Sequence, residues 1–166
     1  DASLNVGGII LDLRRMNRII EWGPESGVIK VEPGVTIQQI WQYTLEYGWW
    51  LPVVPGTMFP TIGGCLAMNI HGKNNYVAGP IGEHVLEFEA LLPTGETITC
   101  SPTKNAELFY AMIGGYGMHG IFTSITLQMK RIHSGLLTVN AWPAPNLSRQ
   151  LSSLLDGAPN YDYIVG

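Results

Sequence analysis

Residues 55–75, PGTMFPTIGGCLAMNIHGKNN, restrict the backbone of this chain more strongly than any other stretch, because they combine a turn, adjacent glycines and a polar tail. Pro55-Gly56 is a turn dipeptide, since proline presets φ and glycine accepts positive φ. Thr61 fits the N-cap of a short helix that carries Gly63 and Gly64 in its first turn. The stretch therefore predicts a turn that leads into a helix start built from glycines.

The glycine pair in that helix start has two explanations. Backbone N–H groups in a first helical turn have no partner inside the helix, and the helix dipole adds positive potential there. Because they lack a Cβ, Gly63 and Gly64 would let a phosphate approach these amides. The same glycines would equally let two backbone elements pack closely, and the residues alone leave both explanations open.

Composition narrows the classes of function. The chain has 166 residues, of which 46% are hydrophobic and 13% are charged, and its net charge is −4. This length suits one domain, or one domain and part of another. Without a basic stripe the chain is not expected to bind nucleic acid. The low charge predicts that much of the surface faces other protein or a cofactor.

Cysteine usage and hydropathy indicate the compartment. The two cysteines, Cys65 and Cys100, form neither a disulfide framework nor a metal-binding spacing, so we expect no metal site and a reducing, cytoplasmic environment. Cys65 is expected to be a small buried side chain rather than a nucleophile. No apolar run approaches the ~20 residues of a membrane helix, and we expect no signal peptide. The chain opens without Met and closes on a strand-like run, which predicts that both ends are trimmed.

Hydrophobic periodicity predicts an α+β order of elements. Residues 76–83 are expected to form a loop, and 132–135 mark a joint before a second unit that begins β–α–β. Thr36 fits the N-cap of a helix that runs to about Tyr47. Strands are predicted over residues 9–13, 28–32, 49–54, 85–92, 96–100, 121–129, 136–142 and 161–165, and helices over 36–47, 104–113 and about ten residues after Asn146.

Gly115-x-Gly117-x-x-Gly120 matches the dinucleotide fingerprint letter for letter. That fingerprint works only when a strand precedes it and a helix follows, so that the helix N-terminus meets the pyrophosphate. Here a helix is predicted before the glycines and a strand after them, which excludes a Rossmann site. The glycines can still bring bare backbone beside a flat ligand.

The polar side chains identify no catalytic group. His71 fits a general base, a covalent attachment point, a ligand neighbour or a structural hydrogen-bonding group. Lys73 fits either a counter-charge to a phosphate or a solvated loop lysine. Glu87 and Glu89 alternate on one strand face and are expected to be solvated. No nucleophile elbow or Ser/His/Asp arrangement is present.

Five motifs occur together in an order and spacing that resemble a known family. The chain is similar to the FAD-binding domain of the vanillyl-alcohol oxidase / p-cresol methylhydroxylase flavoproteins, and within it to the decaprenylphosphoryl-ribose 2-oxidase-like FAD-linked oxidases. The resemblance covers about residues 1–132. The motifs are Glu32-Pro33-Gly34-Val35-Thr36, Pro55-Gly56-Thr57, Thr61-Ile62-Gly63-Gly64, Asn69-Ile70-His71-Gly72 and Gly114-Gly115-x-Gly117-x-x-Gly120-Ile121.

The resemblance implies an α+β fold, with FAD held between two subdomains. Residues 1–132 would be the second subdomain of a PCMH-type FAD-binding domain, a mixed or antiparallel sheet flanked by helices, with most of the N-terminal subdomain missing. Residues 133–166 would be the truncated beginning of an α+β cap domain that binds substrate. The piece alone is therefore not expected to hold FAD or to turn over, whereas the full-length protein is expected to do both.

The resemblance also implies cofactor-binding residues. Family positions that contact FAD match Gly56, Thr61, Ile62, Gly63 and Gly64. The segment that passes the isoalloxazine ring matches Met68, Asn69, Ile70 and His71, and this histidine would be a non-covalent contact. The strand start whose backbone touches the flavin matches Ile121 and Phe122, and Asp1 matches the end of a Gly-Arg-Ser-Tyr-Gly-Asp loop that is otherwise absent.

The implied function is an FAD-dependent oxidoreductase that removes hydride from a carbinol C–H of a sugar, a lipid-linked sugar or a similar alcohol. In relatives the acid/base groups lie largely in the cap, so the catalytic residues stay unassigned. Two alternatives remain open: a flavin-dependent C=C reductase of the sterol-reductase type, and a non-catalytic nucleotide-binding module on the same fold. The full-length protein is expected to be cytoplasmic, with peripheral membrane contact as an option, and its oligomeric state is unassigned.

Overall fold

A computed structural model describes residues 6–166 and shows a five-stranded antiparallel sheet. The strands are β1 (Ile19–Gly23), β2 (Val28–Val31), β3 (Trp49–Trp50), β4 (Val85–Leu91), β5 (Thr97–Cys100), β6 (Ile121–Gln128) and β7 (Lys130–Arg131). The main sheet has the order β1-β2-β6-β4-β5, and β3 pairs with β7 in a separate two-stranded sheet. This antiparallel α+β architecture confirms the predicted fold class.

The register of the sheet sorts apolar from polar side chains. Ile29 and Val31 on β2 lie opposite Leu127 and Ile125 on β6. Because strand side chains alternate between faces, these four residues share one face, and each is at most 1% exposed. Lys30, between them, points to the other face. The sheet therefore buries one side in the hydrophobic core.

Five helices accompany the sheet, together with short 3₁₀ turns at Leu45–Tyr47, Ile81–His84 and Ala158–Asn160. The first helix begins after Thr36, whose side chain accepts from the Gln39 N–H while the Gln39 side chain accepts from the Thr36 N–H. This capping box stops the first amides from being left unpaired. The helices are α1 (Ile37–Thr44), α2 (Ile62–Ala67), α3 (Asn75–Ala78), α4 (Ala106–Met112) and α5 (Leu147–Gly157).

The starts of α1 and α2 are joined by backbone hydrogen bonds. The Ile37 N–H donates to the Pro60 carbonyl at 3.1 Å, and the Ile62 N–H donates to the Val35 carbonyl at 2.7 Å. These two bonds form an isolated antiparallel bridge between the two threonine N-caps. The motifs around residues 32–36 and 55–64 therefore meet in space.

Several predicted elements are confirmed with small shifts at their ends. The predicted strands at residues 28–32, 85–92, 96–100 and 121–129 correspond to β2, β4, β5 and β6. The predicted helices at 36–47 and 104–113 correspond to α1 with its 3₁₀ turn and to α4. Gly48 ends the first of these helices with φ 75, as a C-terminal glycine does.

The predicted buried strand at residues 9–13 is wrong. Ile9, Ile10 and Leu11 are 91%, 72% and 64% exposed and form no ladder with any described strand. A short apolar run forms a buried strand only if another strand pairs with it, and the apolar pattern of the run does not show whether such a strand exists. The strand expected at 49–54 is also shorter, because Pro52 has no N–H to continue the pairing.

The expected β–α–β unit at the C-terminal end contains only its helix. Asn146 caps α5 by accepting from the Arg149 N–H at 2.9 Å, as predicted. Residues 136–142 and 161–165 are not strands, since neither finds a pairing partner among the described residues. The loop expected at 76–83 instead contains part of α3 and a 3₁₀ turn. Within residues 6–166 no helix is long and apolar enough to cross a membrane.

Candidate functional site

A cleft of about 540 Å³ runs beside the N-terminal end of α2. One wall is α2 itself, and the other is the glycine-rich loop before β6. The remaining sides come from the segment at residues 9–14 and from the Pro33-Gly34 turn. The main lining residues of the two walls are Thr61, Gly63, Gly64, Ala67, Tyr116, Gly117, Gly120, Ile121 and Phe122.

Helix α2 presents almost no side chain to this cleft. Cys65 and Leu66 are buried in the core, whereas Gly64 and Ala67, three positions apart on one helix face, line the cleft. A Cβ built on Gly64 would meet only the Thr61 Oγ1, at 3.3 Å. The α2 wall at these positions is therefore backbone and one methyl group, and a ligand can approach it closely.

The expectation of unpaired amides at this helix start is wrong. The Gly63 N–H donates to the Pro33 carbonyl at 2.9 Å, and the Gly64 N–H donates to the Thr61 Oγ1 at 3.3 Å. The Ile62 N–H donates to the Val35 carbonyl. Because these amides already have acceptors within the protein, they do not offer the open anion site that the sequence predicted.

The two glycines have different explanations. A Cβ on Gly63 would lie 2.7 Å from the Pro33 Cβ and 3.0 Å from the Pro33 carbonyl oxygen. Gly63 therefore permits close packing of two backbone elements, which is one of the alternatives left open by the residues. Gly64 is exposed and keeps the cleft clear.

The opposite wall is the loop that carries the Gly-x-Gly-x-x-Gly letters. It follows α4 and leads into β6, which confirms the helix-then-strand order that excludes a Rossmann site. The Gly114 N–H donates to the Leu66 carbonyl at 3.0 Å, and the Tyr116 N–H donates to the Ala67 carbonyl at 2.9 Å. These bonds fasten the loop to the C-terminal end of α2. Backbone from the loop thus lies along the cleft.

The structure brings only part of the predicted residue set to the cleft. Thr61, Gly63, Gly64, Ile121 and Phe122 line it together. Ile62 is fully buried and turned into the core. Gly56, Met68, Asn69, Ile70 and His71 are outside the lining, and Asp1 falls outside the described residues.

The segment after α2 does not line the cleft. Asn69 adopts φ 43, and its Oδ1 accepts from the Gly82 N–H at 3.0 Å. The Ile81 N–H donates to the Ile70 carbonyl at 2.9 Å. These bonds tie the Asn-Ile-His-Gly motif to the 3₁₀ turn at Ile81–His84, and His71 is exposed.

Residue-level reasoning did not include Tyr116, Gly117 and Gly120 among the binding residues, although all three line the cleft. The Gly-x-Gly-x-x-Gly motif could have identified them, because glycines at that spacing keep the backbone accessible to a ligand. The Pro33-Gly34 turn was also missed as a lining element. Its signal was the Glu-Pro-Gly motif, and a Cβ on Gly34 would lie 2.5 Å from the Leu13 carbonyl oxygen.

A buried carboxylate fixes the segment that leads to the cleft rim. Glu32 accepts from the Arg18 N–H at 2.8 Å, from its Nε at 3.0 Å and from its Nη2 at 2.6 Å. These hydrogen bonds lower the pKa of Glu32. The Gly34 N–H also donates to the Met16 carbonyl at 2.7 Å. Residues 16–18 are therefore held against the Glu-Pro-Gly turn.

Charge at the rim comes from Asp12 and Arg14, which both line the cleft. The Arg14 Nη2 lies 2.6 Å from the Asp12 Oδ2, and its side-chain hydrogen bonds lower the pKa of Asp12 to about 2. The guanidinium is 82% exposed. Because the pair is neutral overall, this guanidinium suits a phosphate through its exposed N–H donors rather than through net positive charge.

Two further ionisable groups among the described residues are buried or hydrogen-bonded. Burial raises the pKa of Cys65 to about 12, so its thiol is not a nucleophile, in agreement with the prediction of a small buried side chain. The side chain of Glu89, expected to be solvated, is 41% exposed, and it also accepts from the buried Ser124 Oγ at 2.7 Å. Among residues 6–166 no three His, Cys, Asp or Glu side chains are arranged to hold a metal ion.

The lining fits a large, flat, phosphate-bearing ligand. Gly64 and Gly117 leave space where a Cβ would project, and no atom lies within 4 Å of the Cβ position on Gly117. The walls offer apolar and main-chain contacts, and the rim offers a guanidinium. A nucleotide with planar rings and a diphosphate combines these properties.

Comparison with known proteins agrees with this fit. Residues 1–101 match a family described as FAD binding domain. The chain is 33% identical over 165 residues to decaprenylphosphoryl-beta-D-ribose oxidase from Mycolicibacterium smegmatis. This alignment covers 98% of this chain and 36% of that protein. It is 34% identical over 128 residues to D-lactate dehydrogenase from Anaerostipes hadrus, covering 74% of this chain and 27% of that protein.

A third relative is D-2-hydroxyglutarate dehydrogenase from Escherichia coli, 37% identical over 97 residues, which covers 57% of this chain and 10% of that protein. The chain therefore spans little more than a third, or less, of the length of the curated relatives described here.

Proposed function

Because this chain belongs to the FAD binding domain family, we propose that the natural protein is an FAD-dependent oxidoreductase that removes hydride from a carbinol carbon of a sugar or sugar-like alcohol. FAD is the cofactor of the family. The observation that carries the proposal is the cleft, in which three of the five motifs meet around a wall with little side-chain bulk. The ribose, lactate and hydroxyglutarate in the relatives' names all bear a carbinol carbon.

In this proposal the residues of the cleft bind and orient the cofactor. Gly64 and Ala67 provide a close van der Waals surface, and Arg14, which is paired with Asp12, provides N–H donors for the diphosphate. Ile121 and Phe122 contribute the strand start that closes the far end. When bound, FAD supplies a two-electron acceptor for the hydride, and the protein supplies binding, orientation and electrostatics.

The remaining predicted contacts belong to the proposal as well. We assign Met68, Asn69, Ile70 and His71 to the neighbourhood of the flavin ring, because this segment follows directly from the cleft wall α2. Gly56 is assigned to the turn that precedes α2.

The division of the chain at residue 132 is also part of the proposal. Strand β7 ends at Arg131, and residues 133–148 are exposed. We infer that the residues after 132 begin a substrate-binding cap. The free, buried cysteines Cys65 and Cys100 support a reducing, cytoplasmic location.

The decisive experiment uses the full-length natural protein. Its flavin content is measured by absorbance and by release after denaturation, and it is then mixed without oxygen with a pentose or pentosyl phosphate, with D-2-hydroxy acids, or with no alcohol. Loss of the oxidised-flavin absorbance with the sugar supports the proposal. Loss only with hydroxy acids contradicts the sugar assignment, and stoichiometric FAD that no alcohol reduces favours a nucleotide-binding module. A protein that binds no FAD contradicts the proposal entirely.

A further inference from the structure

Tyr116 has an unusual backbone conformation for an aromatic residue. Its φ is 56, in the left-handed region that side chains with a Cβ occupy at a cost in free energy. Its neighbours Gly114 and Gly117 have φ values of 76 and 74 but are glycines, which adopt such angles freely. A third glycine or an asparagine at position 116 would relieve this cost. The aromatic ring therefore needs an explanation beyond the turn.

Packing in the hydrophobic core does not explain the ring. Tyr116 is 50% exposed, whereas the aromatic core residue Phe88 is 1% exposed. The Tyr116 amide is fixed to the Ala67 carbonyl by a main-chain bond that any residue except proline can make. The residue nevertheless lines the cleft, together with Gly64 and Ala67.

We propose that the Tyr116 ring is one face of a flat slot and stacks on a planar ring of the bound flavin nucleotide. This inference rests on the proposed function. Tyr116 lines the same cleft as Gly64 and Ala67, where the α2 wall is main chain and one methyl group, so a planar ligand in the cleft can lie close to the main chain and within reach of the aromatic ring. Strained residues that the surrounding structure holds in place cluster at ligand sites. Offset stacking is the preferred arrangement of aromatic pairs.

FAD contains two planar systems, the isoalloxazine and the adenine, which offer the same stacking chemistry. The variants Tyr116→Asn and Tyr116→Phe separate the ring from the backbone. Asparagine tolerates positive φ and removes the ring, while phenylalanine keeps the ring. The exposed Tyr110 on α4 lies outside the cleft lining, so Tyr110→Asn is the matched control.

The test measures FAD affinity, flavin fluorescence, ADP affinity and apo-protein melting in the full-length protein. We expect Tyr116→Asn to weaken FAD binding about tenfold, the order found for loss of base–aromatic stacking, without lowering the apo melting temperature. Tyr116→Phe and Tyr110→Asn should bind FAD as the wild type does. A brighter bound flavin in Tyr116→Asn identifies the isoalloxazine as the stacked ring, and a matching loss of ADP affinity identifies the adenine.

Equal FAD affinity in Tyr116→Asn and Tyr116→Phe would overturn the inference. A lower apo melting temperature with unchanged FAD affinity would do the same, because it would show a purely structural ring. These results are distinct from failure of the proposed function, which the FAD content of the wild-type protein reports by itself.

Discussion

Replacing Gly64 with valine tests whether the cleft beside α2 is the cofactor site. A Cβ at this position meets only the Thr61 Oγ1, at 3.3 Å, and the residue is exposed toward the cleft. The added isopropyl group therefore projects into the space assigned to the cofactor. We expect Gly64→Val to lose FAD while the protein stays folded.

The expected magnitudes follow from this geometry. A non-glycine residue in a helix gains up to about 1 kcal/mol over glycine, and the close contact with the capping hydroxyl of Thr61 offsets up to about 1 kcal/mol, the worth of an N-cap. The free energy of unfolding of the apo-protein should therefore change by about 1 kcal/mol or less. Excess volume in a close-packed contact costs about 1–3 kcal/mol, which corresponds to a rise of roughly 5- to 150-fold in the Kd for FAD.

The assay compares urea unfolding of the apo-proteins with FAD titrations of the wild type and the variant. Gly135→Val is the matched control, because a Cβ there lies 3.6 Å from the Leu45 side chain, in ordinary contact, and Gly135 is outside the cleft lining. If Gly64→Val folds normally and binds FAD with the wild-type Kd, the cleft is not the cofactor site.

Three further predictions concern stability and reactivity. Glu32→Gln should destabilise the protein at neutral pH. Because the folded-state pKa of Glu32 is lowered, the ionised side chain stabilises the fold above the ordinary glutamate pKa of about 4.3, and this stabilisation disappears as pH falls through the folded-state pKa. Urea unfolding curves of the wild type and the variant should therefore converge in acid. Gly27→Ala should cost about 3 kcal/mol or more, because the Cβ would overlap the Trp49 ring at a positive φ, whereas Gly95→Ala, with open space at its Cβ, should cost only about 1 kcal/mol in the same unfolding assay. Cys65 should resist alkylation at pH 8 in the folded protein and react after denaturation, and modification of the folded protein would show that burial does not protect it.

Local features of the sequence predicted local features of the structure well. Thr36 and Thr61 were identifiable as N-caps, because capping depends on residue type and a few neighbouring amides. Strand β6 was identifiable from its β-branched, alternating sequence, and helix α5 was identifiable from the residues that open it. The helix-then-strand order around the glycine fingerprint was enough to exclude a Rossmann site.

Features that depend on distant partners were not predictable in the same way. Gly63 and Gly64 are adjacent and identical, yet one packs on Pro33 and the other faces the cleft. Nothing in a single sequence states that residues 32–36 meet the start of α2. The run at residues 9–13 shows the converse, since its apolar letters suit a buried strand but no described strand pairs with it.

The bridge between Thr36 and Thr61 makes the two helix starts one cooperative unit. Opening of either helix start would break the bonds across this bridge, so we expect the Ile37 and Ile62 amides to exchange with solvent together. We then expect a ligand to meet an α2 wall that is already ordered, which lowers its entropic cost of binding. Substitutions on the buried face of α1 are expected to change ligand affinity through this shared unit.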